Sequence, residues 1–161
     1  MNNLNKIIGV GGFIVRDNSL LLVKQSYGDF KGMWMLPGGH IEPKEHLAEA
    51  VIREVREETD ISAVPDGIIA VRSKIIDEST TDVYMILKMH ESSELNEAPV
   101  CDGDEITEAT FIPFADVLND HNVVGLVRGI LKEYVDGNSV LIEQLKYRLP
   151  DSDHIDYQVY V

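Results

Sequence analysis

Glu54, Glu57 and Glu58 lie three and four residues apart in the run Arg53-Glu54-Val55-Arg56-Glu57-Glu58. On a helix that spacing brings three carboxylates onto neighbouring faces, where like charges cost about 0.2–0.5 kcal/mol per pair. Arg53 can neutralise one of them, and the others call for a cation. Three oxygen ligands completed by water suit Mg2+ or Mn2+, hard ions that prefer octahedral oxygen. Zinc is not expected, because His40, His46, His90, His121 and His154 are scattered and form no pair at metal-ligand spacing. His40 and His46 flank the cluster and read as surface residues.

The helix must present those carboxylates in a particular way. At about 100° per residue, Leu47, Val51 and Val55 form one apolar arc, with Ala48 and Ile52 beside it. Glu54 and Glu58 fall at the border of that arc and Glu57 a little further round, while Glu49 and Arg56 point to solvent. A charge run is ordinarily a solvated face laced with ion pairs. Placement at the rim of a buried face, behind the small residues Gly38 and Gly39, favours a metal site instead. Glycine there permits positive φ and close approach of backbone to a phosphate, and Pro37 stiffens the entry.

Residues 39–61 resemble the Nudix box: Gly, five residues, Glu, seven residues, then Arg-Glu-hydrophobic-any-Glu-Glu-any-Gly-hydrophobic. Gly39, Glu45, Arg53, Glu54, Val55, Glu57, Glu58 and Ile61 all match, and Asp60 stands where the second glycine belongs. Six fixed positions of this kind coincide by chance about once in ten million windows. The preceding run, Gly32-Met33-Trp34-Met35-Leu36-Pro37-Gly38-Gly39, also resembles the family's approach to the box.

The resemblance implies an α/β fold, an α/β/α sandwich around a mixed, partly antiparallel sheet, with the box as a loop, helix, loop unit. It implies Glu54 and Glu57 as principal metal ligands, Glu58 completing one or more ions, and a further oxygen from the carbonyl of Gly38 or Gly39. Glu45 and Arg53 would orient them, a task suited to arginine's planar fork. Glu45 also reads as a first-turn glutamate favoured by the helix dipole. The family often draws a base or extra ligand from outside the box. Asp102, Asp104, Glu105 and Glu108 are the candidates, and Glu105 fits the family position best.

The activity implied is metal-dependent hydrolysis of a pyrophosphate bond in a nucleoside diphosphate linked to another moiety, by attack of water at phosphorus. An ADP-ribose- or NADH-like substrate is preferred, from a likeness in Ile69-Ala70-Val71-Arg72 and Asp82-Val83-Tyr84. The alternatives are a MutT-like nucleoside triphosphate pyrophosphatase and a non-catalytic nucleotide sensor. A sensor would be expected to lose box glutamates, and all four are present. Arg72 and Lys74, two apart on one strand face, are candidates for substrate phosphate or a solvated edge. Tyr84 or Phe13 could stack on a base, although core packing is the favoured reading for both.

The bulk properties agree with a small-molecule substrate. The chain has 161 residues, 44% hydrophobic and 26% charged, which fits one domain with a substantial core over residues 1–161. A formal net charge of −14 argues against nucleic acid polymers and anionic membranes, which need clustered Lys and Arg. Bound divalent ions would reverse the local sign for a phosphate substrate. No apolar run approaches the ~20 residues of a membrane span. Cys101 is the single cysteine and reads as a bystander, so a reducing, cytoplasmic setting is expected. A homodimer is left open.

The elements follow from pattern. Residues 7–15 and 20–24 read as a hairpin about the turn Asp17-Asn18-Ser19. Residues 27–33 are loop, with Trp34 anchoring the approach to the box, and residues 45–59 form the helix. Strands are expected at 67–76, 82–90 and 109–113, with a polar turn at 77–81 and a polar loop at 91–103. A short helix at 114–118 and a longer one at 122–135, stopped by Gly137, complete the pattern. The tail, residues 139–161, alternates weakly and reads as an extension that could add one or two strands.

Overall fold

The chain first folds back at Asp17-Asn18, whose φ values of 47° and 57° are both left-handed. This two-residue geometry matches the twist of the flanking strands, and it joins β1 (Asn5–Arg16) to β2 (Ser19–Gln25). The computed structural model describes residues 5–92, 97–101, 103–138, 144–145 and 156–160. β3 (Trp34–Met35) and β7 (Ile106–Pro113) pair antiparallel with β2. β4 (Gly38–His40) pairs antiparallel with the middle of β1, and β6 (Thr80–Glu91) runs parallel to β1. β5 (Ala63–Asp77) pairs antiparallel with β6, and β9 (Asp156–Tyr160) and β8 (Gln144–Leu145) follow beyond it. The resulting order is β3-β2-β1-β6-β5-β9-β8, with β4 on β1 and β7 on β2.

Strand alternation divides the core between two faces. Val10, Ile14, Leu21, Leu87 and Met89 meet Ala50, Val51 and Val55 of α1 (Leu47–Thr59). Phe13, Leu20, Leu22 and Ile86 face the other way, towards Val117 of α2 (Phe114–Asn119) and Val127, Ile130 and Leu131 of α3 (Gly125–Val135). Each such side chain contributes about 1.5–3 kcal/mol when fully buried. The mixed sheet with helices on both faces is the α/β/α arrangement that the motif implied.

Several boundaries differ from expectation. The helix begins at Leu47, two residues later than expected, because Glu42 to Glu45 form a turn of their own: the Glu42 N–H donates to the Glu45 carboxylate and the Glu45 N–H to the Glu42 carbonyl. Glu45 is therefore outside the helix, and the first-turn dipole reading does not apply to it. His46 is the N-cap, and its N–H donates to Glu49 at 2.8 Å. Ala48 and Ile52 are exposed while Ala50 and Thr59 are buried, so the buried stripe runs through Ala50, Val51, Val55 and Thr59. β7 starts at Ile106, which places Glu108 within the strand. The short β3 and β4 were not foreseen. In the tail, Asp156–Tyr160 and Gln144–Leu145 do add strands, and the rest of that segment lies outside the described residues. Among the described residues no helix is long and apolar enough to cross a membrane.

Candidate active site

The site is built where α1 packs against the turn Pro37-Gly38-Gly39. The Gly12 N–H donates to the Pro37 carbonyl at 2.8 Å, and β4 pairs Gly39 with Val10 and Gly38 with Gly11, so the turn is fixed to β1. A Cβ on Gly39 would fall 2.5 Å from a Glu54 oxygen, and one on Gly38 would fall 2.1 Å from the Val10 carbonyl oxygen. Only glycine lets the helix carboxylates lie directly on this backbone. The Gly38 N–H donates to Glu58 at 2.9 Å, tying the turn to the last part of α1.

Arg53 organises the remaining carboxylates. Its Nε and Nη2 donate to the two oxygens of Glu45 at 2.8 and 2.9 Å, a bidentate fork. Nη1 donates to Glu54 at 2.8 Å and to Glu57 at 3.3 Å, and Nη2 also donates to the His40 carbonyl. The fork pulls the Glu45 carboxyl down to about 2, with help from the Glu42 N–H. Glu58 is different. Burial pushes its carboxyl up to about 8 against the pull of the Gly38 N–H, and the charges of Glu54, Glu105 and Glu57 add to the rise. Burial raises Glu54 as well, opposed by Arg53.

Glu105 therefore comes to the same corner as Glu58 from another part of the chain. Its carbonyl accepts the Ser26 N–H at 2.9 Å, and the Asp104 carbonyl accepts the Ser26 hydroxyl at 2.6 Å. Glu108 is turned to a different use and pairs with Lys24 at 2.8 Å. Asp102 lies outside the described residues.

Tyr84 forms a floor beside this corner. Its ring lies across Gly9 and Gly11 of β1, where a Cβ would come within 2.9 and 2.7 Å of ring carbons, and its hydroxyl lies 2.8 Å from where a Gly38 Cβ would be. Burial and the charges of Glu58 and Glu54 hold its phenol in the protonated form, well above the usual range, against the pull of Arg72. Arg72 stacks on the same ring at 5.1 Å and pairs with Asp82. It is thus a committed cation, although its Nε is buried without a hydrogen-bond partner among the described residues. Lys74 is half-buried opposite Asp82. Phe13 is fully buried and cannot stack on a ligand. Trp34 anchors as expected: its N–H donates to the Asn122 carbonyl, and its carbonyl accepts the Val124 N–H.

Among the described residues, no three His, Cys, Asp or Glu side chains already surround a common point as metal ligands. Arg53 lies among Glu45, Glu54 and Glu57. The donor chemistry nonetheless fits a hard cation. Among the described residues Glu58 is half-buried with no positive partner, Glu57 is 60% exposed and held only at 3.3 Å, and a glycine backbone adjoins both Glu54 and Glu58. Sequence reasoning missed Asp82, which hairpin counting from the β5–β6 turn could have placed opposite Lys74. It also missed Tyr27, whose phenol is raised by partial burial and then by the charges of Glu105, Glu58 and Glu54. No spacing signal marks that residue.

The NUDIX domain family model matches residues 5–133. An ADP-ribose pyrophosphatase from Methanocaldococcus jannaschii is 40% identical over 70 residues, 44% of this chain and 41% of that protein. Nudix hydrolase 8 from Arabidopsis thaliana is 28% identical over 127 residues, 76% of this chain and 34% of that protein. These matches span less than half the length of either curated relative. A solved structure of a MutT protein from Methanosarcina mazei Go1 superposes with a TM-score of 0.68 at 24% identity, covering 83% of this chain and 96% of that one, which shows the shared fold. With the box residues gathered at one corner of that fold and the family model spanning most of its length, the chain belongs to the NUDIX domain family.

Proposed function

We propose that the protein is a divalent-metal-dependent hydrolase that cleaves the pyrophosphate bond of a nucleoside diphosphate linked to another moiety, with ADP-ribose as the preferred substrate. The observation that carries this reading is the corner itself, where Glu54 and Glu58 lie on the Gly38-Gly39 backbone and Arg53 forks onto Glu45. The choice of ADP-ribose rests on the name of the M. jannaschii relative. The net charge of −14 supports a small-molecule substrate over a nucleic acid polymer, and a cytoplasmic setting follows from the single cysteine.

Glu54, Glu57 and Glu58, with the carbonyl of Gly38 or Gly39, are the groups that would hold Mg2+ or Mn2+. Such an ion, when bound, neutralises diphosphate charge and acidifies a water. Arg53 and Glu45 keep Glu54 in place. Glu57, Glu58 or Glu105 orients or deprotonates the attacking water. The new bond forms between water oxygen and phosphorus as the bridging P–O bond breaks, and the leaving phosphate departs with its fragment. Lys74 is the cation offered to the non-reacting phosphate, and Arg72, committed to Asp82 and Tyr84, supports that edge.

The test is a panel of ADP-ribose, NADH, diadenosine polyphosphates and oxidised dGTP with Mg2+ or Mn2+, in wild type and Glu57→Gln. ADP-ribose turnover that Glu57→Gln abolishes is expected. Preference for oxidised dGTP would favour a nucleoside triphosphate pyrophosphatase, and binding without turnover across the panel would leave a nucleotide sensor.

A further inference from the structure

The segment between β2 and β3 carries two exposed aromatic residues, Tyr27 at 56% and Phe30 at 39% relative exposure. A single exposed aromatic needs no special account, but the position of Tyr27 does. It directly follows Ser26, which is clamped to the Asp104 and Glu105 carbonyls, and it precedes Gly28, whose φ of 71° turns the chain into open space. Its phenol lies within electrostatic reach of Glu105 from the lead-in to β7 and of Glu58 and Glu54 from α1. The Ser26 clamp sets Tyr27 beside Glu105, and hydrogen bonds from the Gln25 N–H to the Met33 carbonyl and from the Gly32 N–H to the Gln25 carbonyl set its loop against the approach to the Gly38-Gly39 turn. The Tyr27 side chain makes no hydrogen bond or ring contact with the described residues. The other aromatics considered for a base are occupied: Phe13 is fully buried, and the Tyr84 ring is wedged between β1 and Arg72.

We infer that Tyr27 is a specificity-determining residue that stacks on the base of the substrate, at the mouth through which the diphosphate reaches the carboxylates. This rests on the proposed nucleotide substrate. A base joined through ribose to a diphosphate held at Glu54, Glu57 and Glu58 extends outward, where a planar ring on a clamped loop can cover it. Stacking tolerates any base because every base has a π face, so Tyr27 selects for the presence of a base more than for its identity. The ring, and not the hydroxyl, provides the contact.

The experiment compares wild type, Tyr27→Ala and Tyr27→Phe on ADP-ribose and on diribosyl diphosphate, which keeps both riboses and lacks the base. Tyr27→Ala should raise KM for ADP-ribose about tenfold, with kcat within about twofold, and leave KM for the base-free substrate unchanged. Tyr27→Phe should behave as wild type. Equal changes on the two substrates, or none on ADP-ribose, would overturn the inference. Failure of the wild type to hydrolyse either substrate would sink ADP-ribose as the proposed substrate. The inference would then be decided by equilibrium dialysis with AMP and ribose 5-phosphate, where it requires Tyr27→Ala to weaken AMP alone. Unchanged AMP binding, or none in the wild type, would refute it.

Discussion

Two charged clusters flank Tyr84, and they are balanced differently. At the helix corner one guanidinium, Arg53, serves Glu45, Glu54 and Glu57, while Glu58 has only a backbone N–H. At the β5–β6 edge one guanidinium meets one carboxylate, Arg72 with Asp82, over an aromatic ring. The first arrangement gathers more carboxyl groups than cations at a half-buried corner, which folding alone does not favour. The second is close to neutral and props the floor. Surplus carboxyl groups therefore mark the part of this molecule that works at the expense of stability, and the paired edge marks a support.

Glu58→Gln should separate the clusters most sharply. Turnover is expected to fall by about 10²–10⁴-fold if Glu58 handles the proton, measured as ADP-ribose hydrolysis. The metal-free protein should respond in the opposite sense. A carboxyl raised from 4.5 to about 8 holds its proton more tightly when folded, so its stabilising contribution is complete below pH 4.5 and is lost as pH rises through 8. Thermal melts in chelator from pH 5 to 9 should show a falling midpoint that Glu58→Gln flattens. An equally steep fall in the variant would remove Glu58 as the source.

Arg53→Ala should cost about 2–3 kcal/mol in urea unfolding, between the values for exposed and buried pairs, since Glu45 and Glu54 lose their common partner. Arg53→Lys should recover only part, because a lysine cannot reproduce the fork. At the balanced edge, a double-mutant cycle of Arg72→Met and Asp82→Leu should give a coupling of about 1 kcal/mol. A coupling near zero would mean the two clusters do not differ as described. The smallest effect is expected at Asp60→Gly. Asp60 is the helix C-cap at φ 56°, a conformation that costs a non-glycine residue about 1 kcal/mol. The loss of its exposed pair with Arg56 offsets about 0.3 kcal/mol, so melting should show a modest gain with activity unchanged.

The helix corner was legible in the sequence because regular spacing on a helix converts directly into shared faces. Spacing alone places Glu54, Glu57 and Glu58 relative to one another and at the border of the Val51-Val55 arc. The stripe itself was misjudged at Ala48 and Ile52, which are exposed, while Ala50 and Thr59 are buried. Strands as short as Trp34–Met35 and Gly38–His40 leave no period to read. The loyalties of Arg72 depend on the β5–β6 register, since Asp82 faces Lys74 directly and Arg72 only diagonally. Tyr27 depends on a long-range contact between Ser26 and Glu105, which no local pattern announces.

The parallel pairing of β1 with β6, Asn5 beside Thr80 and Ile14 beside Met89, sets an order of assembly. The hairpins β1–β2 and β5–β6 close through neighbouring chain and can form early, whereas this pairing must close a loop of nearly half the chain, the kind of contact that slows folding. Gly9 and Gly11 receive the Tyr84 ring only when it is made. A nascent chain halted before β6 thus has every glutamate of the box and no floor beneath them, and Glu105 still waits for the longer-range docking of β7 on β2.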